Sequence, residues 1–172
     1  MTEAYIFAFA VILPPLFLHF SLLAYGHART ILGTGRHQVA DYIRPQTLLP
    51  YLFTALWLVT GLTCSWYGRD RLRAFVSAAA YCMWNQTGDR SALFRSLHDV
   101  PAAPFDFGLF SVATFLVLQV ITDKRLQQGK SVGYVDITLL WLLSAAIYWG
   151  LAGMYFHRIV ARYGAWYHLC NR

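Results

Sequence analysis

"FAVILPPLFLHFSLLAYGH", residues 9–27, is a charge-free apolar run broken by two consecutive prolines and a histidine. With the residues before it, the run extends over 4–25, long enough to cross a hydrocarbon layer of about 30 Å, which takes about 20 mostly apolar residues. Three further stretches meet the same requirement: 48–67, 104–122 and 134–156. The first two of the four carry no charge, the third only Asp106 and the fourth only Asp136, each near its start. Apolar residues make up 58% of the 172 and charged ones 13%, an excess that a soluble core of this size does not need. The expected fold is therefore all-α. It is a polytopic membrane protein with four transmembrane helices, forming a single membrane domain over 1–172. The first span lacks the basic flank and short apolar core of a cleaved signal peptide, so it is read as retained.

Charge outside the spans is basic, with a net charge of +6. In a four-span chain this excess fits anionic lipid headgroups, and no nucleic-acid partner is expected. The side holding both termini carries Arg69, Arg71, Arg73, Arg90, Arg95, Arg158, Arg162 and Arg172; the other side carries Arg29, Arg36, Arg44, Lys124, Arg125 and Lys130. Eight against six leans towards cytoplasmic termini in a bacterial inner membrane, although Arg29, the only basic flank of the first span, argues the other way. Arg29, Arg36, Arg69, Arg71 and Arg73 are the expected headgroup contacts. Three cysteines without a CxxC pair specify no pairing.

The middle connection holds two amphipathic patterns. Over about 70–84, Leu72, Phe75, Val76, Ala79, Ala80 and Met83 recur at i, i+3, i+4, i+7, i+8 and i+11, one apolar helical face. That face fits either an interfacial helix lying on lipid or a helix packed under the bundle. A second short helix, about 89–100, has Asp89 to cap it, Leu93, Phe94 and Leu97 on one face, and Pro101 to end it.

Polar residues at membrane depth are functional hypotheses by default. At 1.5 Å rise per residue, His19, Thr54, Gln119 and Asp136 lie roughly 5–13 Å to the same side of their span midpoints. They form a candidate intramembrane polar cluster, read either as a site for a headgroup, quinone or proton or as interhelical glue. The same ruler separates His19 and His157 by about 25 Å. The sequence thus supplies no bis-histidine haem b site within the chain, and haem would need ligands from another chain. No cofactor and no metal site are expected: zinc-ligand spacing, a GxSxG elbow and a Ser–Lys pair within a span are all missing.

Two packing features complete the reading. Pro14 and Pro15 predict a kink in the first span, and the carbonyls they leave without donors must find partners inside protein. Ala146, Gly150 and Gly153 form a small-residue stripe that lets another helix approach closely. The expected function is an accessory or structural subunit of a larger membrane assembly of the secretion, conjugation or respiratory kind, bound to lipid and to other membrane subunits. The alternatives are a membrane enzyme or electron carrier with a lipid- or quinone-like ligand near His19, Gln119 and Asp136, and a small oligomeric transporter. The absence of a catalytic constellation weighs against an enzyme.

Overall fold

The computed structural model describes residues 2–33, 35, 37–100 and 106–170. Among these the chain is helical, with no strand. Helix α1 runs Thr2–Leu32, α2 Val39–Ile43, α3 Pro45–Thr87, α4 Ser91–His98, α5 Phe107–Gln127 and α6 Tyr134–Cys170. Helices α1, α3, α5 and α6 are long and apolar enough to cross a membrane. Helix α3 does not break after its apolar half: it continues through Gly68 and the arginines to Thr87, 43 residues and roughly 65 Å at 1.5 Å per residue. Arg36, Pro101 and Arg172, to which the sequence assigns roles, and the start of the expected third span at 104–105 lie outside the described residues.

The contacts group the chain into two compact units. One comprises Pro14–Thr63 and Phe107–Ile147. Its α5 is patterned inside out: Ser111, Thr114 and Thr122 are buried with Phe107 and Leu118, while Leu109, Leu116 and Val120 are 62–71% exposed. Each buried hydroxyl donates to a carbonyl one turn back, Ser111 to Phe107 at 2.7 Å, Thr114 to Phe110 at 3.0 Å and Thr122 to Leu118 at 2.7 Å. The polar atoms are thus satisfied locally, and the small side chains permit close helix approach. Close approach recurs at Gly61, where a Cβ would meet the Phe107 ring at 2.8 Å. Ion pairs close one end of this unit: Arg29–Asp123 joins α1 to α5, and Arg125–Asp136 at 2.7 Å spans the turn between α5 and α6.

The other unit comprises Met1–Leu13, Cys64–Asp106 and Tyr148–Arg172. Here the amphipathic face of residues 70–84 is covered by protein. Leu72, Phe75, Val76, Ala79 and Ala80 are 0–2% exposed, and the Phe75 ring stacks obliquely on Tyr167 at 4.5 Å between centroids. The packed alternative fits these five residues, while Met83, the last of the face, is half-buried. Helix α4 behaves in the opposite way: Ala92 is buried, but Phe94 and Leu97 are 69% and 74% exposed. Asp89 holds its start by accepting from the Ser91 N–H at 2.9 Å and pairing with Arg95 at 2.8 Å. A disulfide joins Cys82 near the end of α3 to Cys170 at the end of α6, with Cα atoms 6.1 Å apart.

Candidate functional site

The proline pair organises α1. Residues Ala8–Ile12 form a π-helical segment just before it, with the Leu13 N–H donating to the Ala8 carbonyl. In an α-helical register Pro14 would serve the Ala10 carbonyl, and in a π register Pro15 would; neither has an N–H. The Ala10 oxygen is therefore orphaned in both registers. Tyr148 of α6 supplies the missing donor: its hydroxyl reaches the Ala10 oxygen at 3.0 Å in a buried setting, and Ser65 of α3 hydrogen-bonds Tyr148 in turn. The backbone at this point is also approached directly by α3. A Cβ on Gly68 would lie 2.7 Å from the Phe9 carbonyl carbon and closer still to the Ala10 backbone. Only a glycine lets the two chains come so near.

Past the prolines, Trp141 of α6 donates its indole N–H to the Pro15 carbonyl at 2.7 Å and lies against the His19 ring, centroids 4.4 Å apart. The Nδ1 atom of His19 is buried without a hydrogen-bond partner among the described residues. The three other members of the expected polar cluster are each engaged with different neighbours. Thr54 donates to the Pro50 carbonyl of its own helix at 2.9 Å, and its carbonyl accepts from Ser21 at 3.1 Å. Gln119 accepts from the Tyr25 hydroxyl at 3.2 Å, and Asp136 pairs with Arg125. Among the described residues no hydrogen bond joins any two of His19, Thr54, Gln119 and Asp136.

The arginines divide similarly. Arg29, expected at headgroups, has a side chain only 16% exposed and is committed to Asp123. Arg69, Arg71 and Arg73 form no ion pair among the described residues, and the Arg71 guanidinium sits 4.9 Å above the Tyr67 ring. Asp99, just after α4, is a hub. Its side chain accepts from Arg162 at 2.9 Å and from the Tyr163 hydroxyl, and its carbonyl accepts from Tyr155. No group of three His, Cys, Asp or Glu among the described residues stands close enough to hold a metal ion.

Sequence reasoning missed Tyr148, Trp141 and the Cys82–Cys170 pair. Tyr148 had a legible signal: a tyrosine near the middle of an apolar run needs a partner for its hydroxyl. No family model, no curated protein and no solved structure matches this chain.

Proposed function

We propose that this chain is a polytopic integral membrane protein, one membrane domain in all, serving as a structural subunit of a larger membrane assembly. One observation carries the reading: the small-residue stripe of α6 is turned outward. A Cβ at Gly150 or Gly153 would meet nothing within 4 Å, and Ala146 is exposed. An outward stripe of this kind has no use inside the chain, whereas a helix of another subunit could pack closely on it. The inside-out patterning of α5 supports the lipid environment. Exposed Phe94 and Leu97 support α4 as the helix that dips into the interface, the role the sequence had offered to residues 70–84.

We further propose that the termini face an oxidising compartment, in a bacterial inner membrane the periplasm. The Cys82–Cys170 disulfide supports this, since such bonds persist outside the reducing cytosol. The opposite side then holds Arg36, Arg44 and Lys130 in two short connections, between Leu32 and Pro45 and between Gln127 and Tyr134, with Arg29, Lys124 and Arg125 in the helix ends that flank them, where positive charge is most effective in fixing cytoplasmic loops. This reverses the orientation expected from counting arginines alone, because an eight-to-six excess is a weaker constraint than a disulfide.

Purification from native membrane in mild detergent tests the assembly. The expected result is a complex larger than the monomer that Gly150→Leu disperses. A lone monomer, or a complex indifferent to Gly150→Leu, would overturn the reading. For orientation, a membrane-impermeant maleimide on intact cells should label Cys82 and Cys170 of a Cys64→Ala variant only after reduction. Labelling that needs a permeant reagent would reverse the assignment.

A further inference from the structure

An open cavity of about 780 Å³ lies in the unit that carries the disulfide, within the ~300–1,000 Å³ of small-molecule sites. The rings of Tyr5, Tyr67, Phe75 and Tyr167 line it, together with Ala74 and Ala78. Both alanines are exposed, and they stand one turn apart on α3. Ring faces and methyl groups suit a flat apolar body.

Polar capacity gathers at one point of this lining. The Tyr5 hydroxyl donates to that of Tyr67 at 3.3 Å. Arg71, whose guanidinium sits 4.9 Å from the Tyr67 ring centroid, hydrogen-bonds the same hydroxyl. A guanidinium only donates, so the Tyr67 oxygen accepts from both neighbours. Two hydroxyls carry two protons, and their mutual bond uses one. The other, on Tyr67, meets no acceptor among the described residues, and donation into its oxygen makes it a stronger donor. No net charge here selects an ion: Arg71 and Asp70 act on Tyr67 with opposite signs, and Glu3 is occupied by His168 at 3.0 Å.

Depth adds a third condition. Tyr67 ends the apolar part of α3. Phe9, one turn further into α1 than Tyr5, packs on the Tyr5 and Tyr67 rings, with centroids 4.8 and 5.3 Å away. Arg71 and Ala74 lie roughly 6 and 10 Å past Tyr67 along the helix. The hydroxyl pair therefore stands at the edge of the hydrocarbon, and the cavity extends outward from it.

We propose that this cavity binds the ring of a lipid-borne quinone, with one carbonyl accepting from the Tyr67 hydroxyl, the ring over Ala74, and the tail running back past Tyr67 and Phe9 into the bilayer. The inference rests on the membrane reading above. Each condition of the site has its counterpart in this ligand. A flat, uncharged ring matches the aromatic lining and the balanced charge. A carbonyl takes the spare proton, and a quinone brings no donor of its own that would need an acceptor here. The apolar tail keeps to the lipid side of Tyr67 while the more polar ring lies outside it, and the bilayer delivers the ligand to the cavity mouth.

The test uses the full chain in mild detergent. Thermophoresis measures its affinity for decylubiquinone and for decylbenzene, which has a ring and tail without the carbonyls. Decylubiquinone should saturate one site per chain. The Tyr5→Phe, Tyr67→Phe double variant keeps both rings but loses both protons. It should bind decylubiquinone about twofold to tenfold more weakly than the wild type, the scale of one net hydrogen bond, and decylbenzene equally well. Either tyrosine alone retains a proton to donate, so each single variant should lose less than the double. Ala74→Trp should weaken both ligands by filling the seat of the ring, and it keeps the proposal testable if the double variant fails to fold. The site would be overturned by no saturable binding, by decylubiquinone affinity unchanged in the double variant, by an equal loss for decylbenzene, or by an Ala74→Trp protein that binds as tightly as the wild type. Carbonate extraction reads membrane residence separately: a chain that resists extraction but fails these binding tests loses this inference alone, whereas an extractable chain loses the membrane reading.

Discussion

The hydroxyl of Tyr148 on α6 donates to the carbonyl oxygen of Ala10 on α1, the one carbonyl that Pro14 and Pro15 orphan in both helical registers. The proline pair and a tyrosine 138 residues away in sequence are thus two halves of one device. Leaving a buried acceptor unpaired costs about 1–3 kcal/mol, more than the ~0.6 kcal/mol of an average interhelical bond in a membrane protein. Tyr148→Phe should therefore destabilise by about 1–3 kcal/mol in a denaturation titration in mixed micelles. In a Pro14→Ala, Pro15→Ala background the Ala10 carbonyl regains a donor from its own helix, and the same substitution should cost much less. Equal costs in both backgrounds would sever the link between the prolines and the tyrosine.

The close passage of α3 over α1 makes a second, sharper prediction. At Gly68 an added methyl meets backbone, with the Phe9 carbonyl carbon at 2.7 Å, and backbone cannot swing aside as a side-chain tip can. Gly68→Ala should cost at least the 1–3 kcal/mol that is typical of overpacking, on the order of the upper end. Gly150→Ala adds the same methyl where nothing lies within 4 Å and should leave the monomer's stability unchanged or slightly raised by helix propensity. Melting the two variants side by side in detergent checks the pair, and matching shifts would mean that the crossing is looser than described.

Those two residues also mark what the sequence could and could not convey. Four long helices were legible because apolar runs of spanning length have few other uses. The repeat from Leu72 to Met83 was legible as a face, yet periodicity records only that a face is covered, not by what; here Leu72, Phe75 and Val76 are covered by protein. The depth ruler brought His19, Thr54, Gln119 and Asp136 to similar heights but carried no rotation about each helix axis. His19 turns to Trp141, Gln119 to Tyr25 and Asp136 to Arg125. The Cys82–Cys170 pair, 88 residues apart, depends on where two long helices end, which no local pattern encodes.

That disulfide gives a third prediction. Cross-linking two distant points restricts the unfolded chain, a contribution of about 2–4 kcal/mol in the chain-entropy account. Wild-type protein in detergent should melt lower after addition of dithiothreitol, converging on the melting temperature of Cys82→Ser. The Cys82→Ser, Cys170→Ser double variant should be indifferent to the reductant. If the wild type were equally indifferent, with its thiols titrating as free, the bond would not form in the mature protein.

The start of α4 carries a pH dependence whose sign can be worked out. Hydrogen bonds from the Ser91 side chain and backbone N–H, followed by the charge of Arg95, hold the Asp89 carboxyl below its ordinary value. A carboxyl depressed in the folded state binds its proton more weakly there than in the unfolded chain. Its contribution is thus fully present above the ordinary carboxylate pKa and is lost as pH falls through the lower folded value. Local protection of residues 91–98 in hydrogen exchange, corrected for the intrinsic pH dependence of the rate, should decline as the pH drops through that acidic window. Asp89→Asn keeps an acceptor for the Ser91 N–H but cannot ionise, so it should flatten the profile while retaining partial protection. Asp89→Ala should lower protection at every pH. A wild-type profile as flat as that of Asp89→Asn would show that the carboxylate does not govern this helix start.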